Sequence, residues 1–113
     1  MYENIIIPKS VKEQFDISGR TAVITGGAGF LGHQFAEAIA EMGGTPILVD
    51  INQNNLDFTR NNIKNSGYND CHSYQLDITS EEDSIKVYNE IWMNYDGIDI
   101  LINSAALTKS GAE

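Results

Sequence analysis

The stretch Thr21-Ala22-Val23-Ile24-Thr25-Gly26-Gly27-Ala28-Gly29-Phe30-Leu31-Gly32 constrains the chain more than any other. A short buried-strand pattern runs straight into four glycines, and a helical pattern follows from about Phe30 to Met42. Gly26, Gly29 and Gly32 stand three apart. Gly26 falls where the backbone must turn sharply at the end of the strand. Gly29 keeps a side chain away from anything bulky approaching the main chain. Gly32 lets the new helix pack tightly on the strand it leaves. The bare spacing also fits a tight strand-to-helix turn with no ligand, so the surroundings decide.

Downstream the same alternation repeats. Leu31, Phe35, Ala38, Ile39 and Met42 fall at helical spacing and predict one apolar stripe, stopped by Gly43-Gly44. Pro46 to Asp50 reads as a second strand. A polar helix over Asn52–Ser66 follows, with Leu56, Arg60 and Ile63 about one turn apart and Gly67 closing it. His72 to Leu76 is a weaker third strand. Thr79 stands three before Glu82, as in a capping box, and Glu81, Glu82 and Asp83 crowd the positive end of the helix they start. Ile85, Tyr88, Ile91, Trp92 and Tyr95 are expected to form its buried face. Asp96-Gly97 turns the chain into a fourth strand, Ile98 to Asn103. Strand and helix in alternation, with short connections, predict an α/β fold: a doubly wound parallel sheet of about four strands and three helices in the order three, two, one, four. Upstream, Ile5-Ile6-Ile7 is ended by Pro8, and Val11 to Phe15 makes at most a turn of helix. Residues 1–18 therefore read as an N-terminal extension, and 19–113 as one domain.

A length of 113 residues suits one small domain. The net charge of −9 argues against nucleic acid and against an anionic membrane as partner. It does not argue against an anionic cofactor, because backbone N–H groups can hold phosphate without lysine or arginine. One cysteine, Cys71, excludes an internal disulfide framework. With no apolar leader, a cytoplasmic location is the expectation.

Asp50 ends the second strand 24 positions after Gly26. That is where a carboxylate reaches the ribose hydroxyls of a dinucleotide whose pyrophosphate sits at the glycine turn and helix N-terminus. A solvated strand-end aspartate is the plainer reading, and the glycines favour the functional one. A carboxylate accepts from a free 2′-hydroxyl and repels a 2′-phosphate. Arg60, ten positions on, is poorly placed to offset that. NAD is therefore expected over NADP.

Thr25 to Gly32, Asp50, Leu76-Asp77-Ile78-Thr79 and Ile98 to Ala106 together resemble the short-chain dehydrogenase/reductase family, as does the lead-in Phe15 to Arg20. The resemblance runs from about residue 15 to the end and implies a Rossmann-type fold. It implies that the loop from Gly26 to Gly32, with Ala28, Gly29, Phe30 and Leu31 among its contacts, cradles the pyrophosphate, and that Asp50, with Ile51 beside it, takes the ribose. Asp77 and the Ile78 amide would hold the adenine edge, and Asn103, Ser104 and Ala105 would line the floor beside the nicotinamide ribose. Asp77 also fits an Asx-type turn, and the two roles are compatible. Asn103 also fits a strand-end residue bonded to backbone. Asn103-Ser104-Ala105-Ala106 departs from the usual Asn-Asn-Ala-Gly; Ala106 for glycine is tolerable if its backbone angles are ordinary. The glycine spacing is that of the extended branch, whereas the longer strand-four match resembles the classical branch, which we favour.

The family's chemistry uses a tyrosine with a lysine four positions later. Tyr2, Tyr68, Tyr74, Tyr88 and Tyr95 are followed at that distance by Ile6, His72, Ile78, Trp92 and Asp99. No catalytic residue is therefore assigned. His33 and His72 lack metal-ligand spacing, and Cys71 reads as a small buried hydrophobe. Ile98, Ile100, Leu101 and Ile102 are apolar on both faces of a strand expected at the sheet edge, which predicts further strands and helices beyond this chain. The resemblance implies an oxidoreductase moving hydride between NAD and an alcohol or carbonyl, usually as a homo-oligomer, with this chain as its cofactor-binding half. A nucleotide-sugar epimerase or dehydratase of the extended branch and a non-catalytic nucleotide-binding module are the alternatives.

Overall fold

The computed structural model describes residues 10–106. Its elements run α1 (Val11–Gln14), β1 (Thr21–Thr25), α2 (Phe30–Glu41), β2 (Thr45–Asp50), α3 (Gln53–Asn65), β3 (His72–Gln75), α4 (Glu81–Tyr95) and β4 (Ile100–Asn103). The strands form one parallel sheet in the order β3-β2-β1-β4, as expected. The Ile5–Ile7 triplet, Pro8 and the tail Leu107–Glu113 lie outside the described residues.

Helices cover both faces of the two central strands, so β1 and β2 are apolar almost throughout. Ile24 and Leu48 pack with Ala36, Ala40, Leu56 and Ile63 on the α2–α3 face. Val23, Ile47 and Val49 pack with Leu76 and Ile91 on the α4 face. Cys71 is fully buried in the first cluster, and burial pushes its thiol up to about 11, so it behaves as a small hydrophobe.

The apolar stripe expected on α2 is not the face that is buried. Gly32, Ala36 and Ala40 face the sheet, while Leu31, Phe35, Ala38 and Met42 are exposed. The reason is distance. A Cβ on Gly32 would run into the Gly26 carbonyl oxygen and lie 2.7 Å from the Gly27 Cα, so only small side chains fit where the helix meets the turn. The C-terminus of α2 closes as expected: the Gly44 amide donates to the Ile39 carbonyl and the Gly43 amide to the Ala40 carbonyl, with Gly43 at φ 89°. Gly67 and Tyr68 close α3 in the same way.

On α4 the expected face is also rotated. Ile91 is buried, with Val87, Tyr88 and Tyr95 packed beside it, but Ile85 and Trp92 are exposed. The cap moves by one residue as well. Ser80, not Thr79, accepts from the Asp83 amide at 3.3 Å, while the Thr79 hydroxyl donates to Asp77 in the turn before the helix. β4 starts at Ile100 rather than Ile98. Asp99 precedes the ladder and clamps it: its amide donates to the Thr21 carbonyl, and its side chain accepts from the Thr21 amide at 2.8 Å. β4 is the sheet edge and Leu101 stands 55 % exposed. No helix among the described residues is long and apolar enough to cross a membrane.

Candidate functional site

The strands' C-terminal ends converge on the glycine turn. Gly26 takes φ 67°, which an L side chain rarely adopts, and a Cβ there would lie 2.7 Å from the Ala105 Cα. Ala105 is held in that place by Thr25, whose hydroxyl accepts its amide at 3.3 Å, and Ser104 donates both its amide and its hydroxyl to the Thr25 carbonyl. Gly27 is just as confined, with a Cβ only 2.9 Å from Leu48. Gly29 differs: its Cβ would meet nothing nearer than the Gly26 carbonyl at 3.3 Å.

The turn's amides divide into two sets. Gly27 donates to the Val49 carbonyl (3.1 Å), Ala28 to Asp50 Oδ2 (3.2 Å) and Gly29 to the Gly26 carbonyl (3.0 Å). The next three, at Phe30, Leu31 and Gly32, open α2 and have no acceptor within the helix. Gly29 at the N-cap supplies no side-chain cap, and the first turn carries no acidic residue. Phe30 and Leu31 turn their side chains to solvent, 80 % and 58 % exposed.

Asp50 faces this turn. One carboxylate oxygen accepts from Ala28 and the other from the Asn52 amide at 3.2 Å, so each oxygen keeps a lone pair for another donor. Beyond it lies a cleft of about 260 Å³, bounded by Gly26, Asp50, Ile51, Asp77, Ile78 and Ala105 among others. Six of the residues singled out from the sequence therefore share one cavity. The Asp77 carboxylate accepts from the Thr79 hydroxyl (2.6 Å) and amide (3.0 Å), which forms the Asx-type turn and holds its pKa below the usual carboxylate range, the hydroxyl contributing most.

Ala28, Gly29, Phe30, Leu31, Gly32, Asn103 and Ser104 do not line the cleft. Asn103 ends β4 with an exposed side chain. Ala106 does line it and keeps ordinary backbone angles, since Asp96 is the only non-glycine at positive φ among the described residues. Val49, Leu76, Thr79 and Ala106 also line the cleft, and Thr25 braces the turn, none of them assigned to the site from the sequence. The Asp-x-Thr spacing was a usable signal for Thr79. Nothing local marks Thr25, whose partner Ala105 is 80 positions away.

Residues 20–113 match the family model described as short chain dehydrogenase. The 3-oxoacyl-(acyl-carrier-protein) reductase FabG of Aquifex aeolicus is 29% identical over 96 residues, covering 85% of this chain and 39% of the relative. The crystal structure of an NAD+-bound xylitol dehydrogenase superposes with a TM-score of 0.76 at 30% identity, covering 80% of this chain and 35% of that one. A short-chain type dehydrogenase/reductase from Mycobacterium marinum gives a TM-score of 0.81 at 26% identity, covering 88% and 40%. The chain thus spans about two-fifths of the length of such relatives.

Proposed function

The chain belongs to the short-chain dehydrogenase family, and from that premise we propose that it supplies the cofactor-holding half of an NAD-dependent oxidoreductase acting on an alcohol or carbonyl compound. The reading rests on one juxtaposition: the Asp50 carboxylate sits 3.2 Å from the Ala28 amide, between the glycine turn and the cleft. The residues fit a dinucleotide in two respects. The start of α2 offers amides with neither cap nor carboxylate against them, which suits a diphosphate. Asp50 retains acceptor capacity on both oxygens, which suits vicinal ribose hydroxyls.

In this reading Gly29 keeps the approach to the Phe30 and Leu31 amides clear, and Gly26 and Gly32 hold the turn close to the sheet. Asp77, its orientation set by Thr79, and the Ile78 amide take the adenine edge. Asn103, Ser104 and Ala105 form the floor near the nicotinamide ribose. The bound cofactor supplies hydride exchange with the substrate carbon; the protein's part is to orient it and limit water. No tyrosine in the chain has a lysine four residues later, so no residue here is assigned to moving the substrate proton.

NAD is preferred over NADP because a 2′-phosphate would meet the Asp50 carboxylate. Arg60, the candidate counter-charge that follows Asp50 in sequence, is engaged: it lies 3.7 Å from Asp57 Oδ1 and donates to Ser73 Oγ at 3.5 Å. Calorimetric titration tests this. Asp50→Ala should weaken NAD about tenfold to a hundredfold, the worth of hydrogen bonds to a charged group, and narrow the preference over NADP. An unchanged NAD to NADP ratio would falsify the ribose assignment.

A further inference from the structure

The geometry points to Gln75 as a positioning residue for the adenosine end of the cleft. This rests on the cleft being the adenosine subsite. β2 and β3 pair up to Asp50 opposite Gln75. The last main-chain bond between them runs from the Leu76 amide to the Asp50 carbonyl at 2.9 Å. One residue further the ladder has ended, yet the Ile51 carbonyl is still held: it accepts from Gln75 Nε2 at 3.0 Å. The orientation of the amide is fixed by chemistry, because a carbonyl accepts only from the nitrogen end.

Gln75 thus extends the β2–β3 pairing by one rung, made from a side chain. The rung lies where the cleft needs its two walls at a fixed separation. Ile51 stands on the β2 side and Ile78 on the β3 side, both substantially exposed and both lining the cavity. The Ile51 segment is otherwise held by the Asn52 amide on Asp50 Oδ1, a bond to the same carboxylate proposed for the ribose. Gln75 thus adds a second tie, from β3, to the turn that Asp50 holds from within.

The experiment uses adenosine monophosphate as probe, with binding followed by calorimetry and stability by thermal melting. Gln75→Ala should weaken the nucleotide about threefold to tenfold, the worth of one exposed hydrogen bond, with the melting temperature unchanged. Gln75→Glu should weaken it further at neutral pH, since a carboxylate then faces the Ile51 carbonyl. Gln53→Ala, which removes an exposed glutamine whose side chain donates to Asp57, should leave binding unchanged. Unchanged affinity in both Gln75 variants, or a loss that tracks melting temperature, overturns the proposal. Failure of the unaltered protein to bind the nucleotide overturns the cleft reading, and this inference with it.

Discussion

Two helices start at the same edge of the sheet and finish their N-termini in opposite ways. α4 is self-sufficient. Ser80 caps it, and Glu81, Glu82 and Asp83 fill its first turn with negative charge. α2 has none of this: a glycine at the N-cap, no side-chain acceptor and no acid in the first turn. α3 also lacks an acid in its first turn, but Asn52 caps it, so among the described helices α2 alone has neither cap nor acid. Both helices carry the same dipole and the same unsatisfied amides. One spends them on its own side chains, and the other leaves them to whatever approaches. On the proposed reading, that approaching group is a diphosphate.

The largest effect is expected at the turn itself. Gly32→Ala places a Cβ against the Gly26 carbonyl, backbone that cannot step aside cheaply. It should cost about 3 kcal/mol or more, at the upper end for overpacking, read as a drop in the denaturant midpoint. A variant as stable as the parent would mean that α2 can move away from the sheet, and the close approach would lose its meaning.

The next pair makes each helix start resemble the other. Ser80→Ala removes the α4 cap and should cost about 1 kcal/mol, with nucleotide affinity unaltered. Phe30→Asp gives α2 the acid it lacks. Because Phe30 is exposed, little packing is lost, and stability should stay level or rise by up to about 1 kcal/mol through the dipole. Nucleotide affinity should instead fall roughly tenfold, from one charge set against the phosphates. Affinity that survives Phe30→Asp would move the diphosphate away from this helix.

The smallest effect concerns the turn before α4. Asp77 titrates below the usual carboxylate range in the folded protein because Thr79 donates to it. A folded-state pKa lowered in this way adds stability above the unfolded value of about 4. That stability is lost as the pH falls through the folded value. Thr79→Ala should move the Asp77 carboxyl back up toward its ordinary value in an NMR titration. A pKa that does not move would assign the shift to the Thr79 amide, which the variant keeps, and not to the hydroxyl.

Strand order, parallel pairing and the position of the glycine turn were all legible in the sequence. They rest on local signals: apolar runs, glycine punctuation and alternation of elements. Which helix faces are buried was not legible. Spacing pointed to Leu31, Phe35 and Met42 on α2, where Gly32, Ala36 and Ala40 are buried. It pointed to Ile85 and Trp92 on α4, where both are exposed. Large apolar residues give the stronger periodic signal, but a helix that nearly touches a strand has room only for small ones. The α4 cap falls one residue beyond the Thr79–Glu82 spacing, at Ser80, with Thr79 placed in the Asp77 turn instead.

The same division runs through the site. Residue types and order placed a carboxylate at the end of β2 and glycines at the end of β1, because turns and strand ends are decided over a few residues. The sequence could not decide that Asp50 would take the Ala28 amide, that Thr25 would hold Ala105, or that Gln75 would reach Ile51. Those contacts join residues 22 to 80 positions apart. They exist because parallel strands end side by side, and only the folded sheet sets that register.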